Sequence, residues 1–145
     1  MKKGHKKLLS DLNKIATHFK LKLSKTEAVK KTAFAIDSSK KKLIFINEDD
    51  LPYFKTIDLR NIDTCTVKFD YSQIEAGEVN VKNMDEFIDK VQLEISHFDP
   101  SKSLNIGFYD SKKDKVNELR PLIDKATDWR DSIAAKLPAK LAVRA

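Results

Sequence analysis

Cys65 is the only thiol in the chain, and His5, His18 and His97 are its only imidazoles. A nucleophilic cysteine needs a base or a cation beside it to hold the thiolate. Cys65 instead lies in the middle of "IDTCTVKFDY", flanked by threonines and on the same side of the run as Val67, Phe69 and Tyr71. That placement predicts an inert, buried thiol. His97 closes an apolar alternating run and reads as structural or solvated, while His5 and His18 are too scattered to form a ligand set. "NEDD", residues 47–50, has the acids for a hard cation but not the glycine and spaced glutamate of a calcium loop. Gly4, Gly77 and Gly107 are the only glycines, too few and too dispersed for a phosphate-cradling loop. Ser38 and Ser39 stand in a polar turn without a nucleophile elbow. The chain is therefore expected not to be an enzyme, with no catalytic residue, no metal and no cofactor.

The remaining chemistry is that of lysine. Of 28 basic residues only Arg60, Arg120, Arg130 and Arg144 are arginine. Residues 1–31 carry ten lysines against Asp11 and Glu27, a net of +8, so the rest of the chain totals −2 of the overall +6. Candidate anion or lipid contacts are Lys2, Lys3, Lys6 and Lys7 at the amino end, Lys30 and Lys31, and the run Lys40, Lys41 and Lys42. Lysine meets phosphate as a point charge and lacks the fork with which arginine fixes headgroup geometry. These lysines read either as a solvated, solubilising surface or as a weak anionic site. Nucleic acid is the least favoured partner. Base readout leans on arginine, single-strand binding needs aromatics among the cations, and residues 1–31 hold only Phe19.

The elements that carry these residues follow from periodicity. From Lys6 to Lys22, Leu8, Leu12, Ile15 and Phe19 recur at helical spacing, with Leu9 and Ala16 widening the stripe. This basic amphipathic helix suits docking on its own β-domain or on a partner, or lying on an anionic membrane surface. "KLSKTEAVKK" breaks the pattern. "KTAFAID" and "KLIFIN" predict a hairpin around "SSKK", "NEDDLP" a loop at Pro52, and "KTIDL" a short strand. "IDTCTVKFDY", "KVQLEISHF" and "SLNIGFYD" alternate as half-buried antiparallel strands. "SQIEAGEVNVKNMDEF" fits a long loop, a short strand around Val79 and Val81, or a helical turn from Met84 to Ile88. After Asp110 the period becomes helical: Leu122, Ala126, Trp129, Ile133 and Leu137 share a face, and Val116, Leu119 and Ile123 extend it. Pro121 marks a start or a bend.

Strands followed by one amphipathic helix predict an antiparallel sheet that must be covered. Trp129, the only tryptophan, would stopper the open end of a bent sheet and bury on the order of 150–250 Å². The expected core comprises Trp129, Leu122, Ile133, Cys65, Val67, Phe69, Leu93, Ile106 and Phe108. The hairpin "AFAIDSSKKKLIFIN", the passage "IDLRNIDTCTVKF", the strand "LNIGFYD" and the helix "DKATDWRDSIAAKL" together resemble the pleckstrin-homology-like (PH-like) superfold, and in particular its small, uncharacterised bacterial members. The resemblance covers about residues 28–138. It implies a mainly β, α+β fold: a bent antiparallel β-sandwich or partly open barrel, capped by a carboxy-terminal helix. Residues 1–27 would then be an added basic helical segment and 139–145 a tail. The superfold hosts lipid, peptide and oligomerisation sites alike, so it implies a binding module without naming the ligand. The leading expectation is a protein partner or a homo-oligomer, and the alternative is an anionic membrane surface. No apolar run exceeds four residues, the amino terminus lacks an apolar signal core, and Cys65 has no pairing partner. A cytoplasmic protein is expected, with the inner membrane face as its second station.

Overall fold

The computed structural model describes residues 3–48, 54–72 and 85–138. Among them are helix α1 (Lys3–His18), strands β1 (Lys25–Val29), β2 (Thr32–Asp37), β3 (Lys42–Asn47), β4 (Phe54–Asp58), β5 (Ile62–Tyr71), β6 (Ile88–His97) and β7 (Leu104–Asp110), and helix α2 (Leu119–Ala134). The fold is mainly β, with two open antiparallel sheets ordered β1-β2-β3-β4 and β5-β6-β7. The chain divides into two compact units, Met1–Asn61 with Lys136–Ala145, and Ile62–Ala135. Within the basic helical segment expected over 1–27 the helix ends at His18, and a strand begins at Lys25. Pro52, Val79, Val81, Met84 and the 139–145 tail lie outside the described residues.

In the first unit, α1 lies across β1, β2 and β3. Its Leu8, Leu12 and Ala16 are buried against Ala33, Ala35, Ile44 and Ile46, with Leu9, Ile15, Ala28 and Phe54 packed around them. The register sets Ala28 opposite Ala33 and Ala35 opposite Ile44, so small side chains share the face beneath the helix and let it sit close. The helix ends in a Schellman turn. The amide of Leu21 donates to the carbonyl of Ala16, and that of Lys20 to Thr17. Lys20 occupies the left-handed position at φ 58°, where glycine is usual. Leu21 packs against the apolar cluster to which Ala16 belongs. Phe19, expected on the apolar stripe, is 45% exposed and meets Phe54 edge-on, ring centroids 5.8 Å apart.

Strand β1 was not anticipated. "KTEAV" offers only Ala28 and Val29 as apolar residues, and its connection to β2 is the two-residue turn Lys30-Lys31 rather than an Asn-Gly or Gly-rich pair. Lys30 adopts φ 56° there. The hairpin around "SSKK" is thus β2–β3, one step later in the sheet than expected. Thr32 to Asp37 are all buried, and Ala33 and Ala35 are those that face α1.

In the second unit, Cys65, Val67 and Phe69 face the same side as their partners Ile95, Leu93 and Val91, while Thr66 and Glu94 face the other. Helix α2 packs against all three strands. Leu119, Leu122, Ala126, Trp129 and Ile133 form its buried side, and Trp129 is wholly enclosed. Pro121 falls in the first turn, where a missing amide costs nothing. Leu137 lies beyond the end of α2, and Val116 sits in a preceding 3₁₀ turn, 52% exposed rather than on the buried face. Leu93, Ile106 and Phe108 are buried. Val67 and Phe69, expected in the core, are only half-buried, because β5 is an edge strand with β6 on one side alone.

Candidate functional site

The lysines singled out in the sequence do not form one surface. Lys30 and Lys31 turn the chain at the start of β2, and Lys40, Lys41 and Lys42 follow its end. Six strand residues separate the two groups, roughly 20 Å of extended chain. Lys6 and Lys7 are exposed on α1. Lys2, and the side chain of Lys3, lie outside the described residues.

At the β2–β3 turn the structure does build a site. Asp37 is 1% exposed and organises it. Its Oδ1 accepts the amides of Ser39 and Lys40, both at 3.0 Å, and the Ser39 hydroxyl at 2.9 Å. Its Oδ2 accepts the amide of Lys22 at 2.8 Å, which ties the segment after α1 to the same turn. Burial alone would raise the Asp37 carboxyl. The donors from Lys40, Lys22 and Ser39 outweigh it and hold the group below its ordinary range. Lys41 closes the turn in the left-handed region at φ 53°. The Lys40 ammonium donates to the carbonyl of Lys20 at 2.6 Å, so the end of α1 leans on the turn as well.

Arg60 completes the site, and sequence reasoning missed it. It sits two residues after Asp58 in a 3₁₀ turn that follows β4. The pairing of Lys42 with Asp58 across β3 and β4 brings it to the lysines. Its Nε and Nη2 both donate to the Asp58 carboxylate, at 2.9 and 2.7 Å, and the Lys42 ammonium reaches the same carboxylate at 3.2 Å. The Arg60 guanidinium, with its amide and Lys42, holds Asp58 well below the usual carboxylate range against the cost of burial. Ser39, Lys40, Lys41, Lys42 and Arg60 line a depression of about 530 Å³. The only sequence signal for Arg60 was its rarity, since nothing local distinguishes "DLR" from any polar turn.

Cys65 and His97 stand apart from this turn in the sequence and belong to the second unit. Cys65 is buried, and desolvation pushes its thiol up to about 12, although Arg130 pulls the other way. His97 accepts the Asp99 amide on Nδ1, and Asp99 in turn caps the 3₁₀ turn at Pro100–Lys102 through the amide and hydroxyl of Ser101. Of "NEDD", Asn47 donates to the Thr32 hydroxyl, and Asp49 and Asp50 lie outside the described residues. Among the described residues no three His, Cys, Asp or Glu side chains gather as a metal set. None of the described helices is long and apolar enough to cross a membrane.

Comparison with protein-family models, with curated proteins and with solved structures gave no match.

Proposed function

We propose that the chain is a non-enzymatic interaction module on a PH-like scaffold, and that it binds an extended protein segment, from a partner or a second copy, along β5. Support for the scaffold comes from the order of elements: four antiparallel strands, three more, then one helix carrying a buried tryptophan. Support for the non-enzymatic character comes from the burial of the Cys65 thiol and from the structural hydrogen bonds that engage His97 Nδ1 and the Asp37 carboxylate.

The carrying observation is the state of β5. It is a ten-residue edge strand with no neighbour on its outer side among the described residues. Its apolar face is incompletely covered: Val67 and Phe69 are half-buried and Tyr71 is 54% exposed. An unpaired strand edge offers main-chain donors and acceptors, and alternate side chains beside it select the incoming segment. Thr66 and Lys68, on the opposite face, are exposed.

The anionic-membrane alternative would have to do without helix insertion, because α1 already spends Leu8, Leu12 and Ala16 on its own sheet. The test is light scattering across a concentration series together with capture from lysate, using wild type and Phe69→Glu. The expected result is a complex that protects β5 amides from hydrogen exchange and is lost in the variant. A strict monomer that captures nothing, or capture indifferent to Phe69→Glu in a folded variant, overturns the proposal.

A further inference from the structure

We propose that the depression at the β2–β3 turn is a binding site for a phosphomonoester dianion, formed by Lys40, Lys41, Lys42 and Arg60. It is independent of the β5 edge and stands or falls separately from the protein-binding proposal.

Four cations line this one concavity, and two carboxylates offset them in part: Asp58, paired with Lys42 and Arg60, and the buried Asp37 beneath the turn. Asp58 takes two of the five guanidinium N–H donors of Arg60 and so fixes the orientation of the group. Three donors remain, and the Arg60 side chain is 64% exposed. Lys41 is exposed, with no side-chain partner among the described residues. A dianion with three terminal oxygens matches such a set of point charges and planar donors better than a carboxylate does.

One further observation separates this turn from an ordinary solvated one. The turn is rigid before any ligand arrives, because the buried Asp37 carboxylate already binds the amides of Ser39 and Lys40 and the Ser39 hydroxyl. Ordering the loop is therefore not a cost of binding. Lys41 takes a left-handed conformation that glycine adopts freely, as do Lys20, whose carbonyl the Lys40 ammonium grips, and Lys30 in the β1–β2 turn, so the buried Asp37 bonds and not the backbone angle set this turn apart.

The lining contains no aromatic side chain on which a base could stack, which disfavours single-stranded nucleic acid. Its source is either a free phosphorylated solute or a lipid headgroup bearing a terminal phosphate.

The test titrates inorganic phosphate into isotope-labelled protein and follows the Ser39–Lys42 amides and the Arg60 Nε–H by NMR. Saturable shifts confined to these groups are expected, with an affinity on the order of 1 mM. Lys41→Glu and Arg60→Gln should each weaken binding by about tenfold or more. Lys30→Glu, the same charge change at the far end of β2, should leave it within about twofold, as expected if net charge is not what binds. Lys41→Gly gives a readout that misfolding cannot mimic: the unfolding midpoint rises while phosphate affinity falls.

Sedimentation with phosphatidylcholine vesicles, with and without phosphatidic acid, then assigns the source. Binding to phosphatidic acid vesicles supports a lipid phosphate. Phosphate binding without vesicle binding supports a soluble ligand. Shifts that do not saturate, that spread equally to Lys30 and Lys31, or that survive Lys41→Gly overturn the proposal.

Discussion

Replacing Asp37 tests the physical account of the turn most directly. In Asp37→Asn one oxygen still accepts from Ser39 and Lys40, but the new NH₂ group is set against the Lys22 amide, which now donates to Oδ2 at 2.8 Å. Two donors then face one another at a position only 1% exposed. Stranding one buried donor costs about 1–3 kcal/mol, and the bonds that remain lose their charge assistance. The Ser39 and Lys40 amides lie near the surface and can turn to water, which limits their share. We expect a loss of about 2 kcal/mol for Asp37→Asn and about 3 kcal/mol for Asp37→Ala. The pH dependence has a definite sign. The folded carboxyl ionises below its ordinary value, so in acid the unfolded chain binds the proton first. The contribution of Asp37 is whole above the ordinary carboxylate range. It fades as the pH falls through that range toward the depressed folded value. Urea denaturation followed by circular dichroism, on wild type and Asp37→Asn at neutral and progressively lower pH, measures this. Asp58 and Asp99 are depressed too, and the difference between the two proteins cancels their effect. A variant within about 0.5 kcal/mol of wild type at neutral pH, or a gap that widens in acid, would refute the reasoning.

Trp129→Ala should cost roughly 3–5 kcal/mol, read from the urea midpoint, because the whole indole is enclosed beside Leu122, Ala126 and Ile133. Leu12→Ala should cost about 2–5 kcal/mol and raise amide exchange along α1, whereas Lys14→Ala, on the exposed side, should stay within about 0.5 kcal/mol. Cys65 should resist thiol reagents in the folded protein at neutral pH and react fully once urea unfolds it. Prompt labelling of native protein would contradict both its burial and its raised pKa.

What could be read from the residues alone follows the strength of each local pattern. Strands β2, β3, β5, β6 and β7 and both helices announced themselves through period, because each buries a coherent apolar set. Strand β1 did not. Its face toward α1 carries only Thr26 and Ala28, and its pairing with β2 supplies what its side chains do not. The site was half legible for a related reason. Lys40, Lys41 and Lys42 are adjacent in the chain and visible as a run. Arg60 joins them only through the β3–β4 register, a long-range fact that no window of sequence contains. Lys30 and Lys31, the other candidate contacts on this sheet, precede β2 and so stand at its opposite end. Val67 and Phe69 show the converse limit: alternation assigns a face, and only topology reveals that β5 is the last strand of its sheet.

The alanine floor under α1 bears on how the molecule can be dissected. Ala28, Ala33 and Ala35 give the helix small side chains to rest on, with the larger Leu8, Leu12, Ile44 and Ile46 in the same cluster. Cutting away the first two dozen residues would bare a smooth aliphatic plate on a paired β-surface, which is the kind of surface that glues proteins to tubes, membranes and one another. A shortened chain that sticks to vesicles would then be reporting its wound. The questions about charge are safer put to single side chains, with the helix left in place.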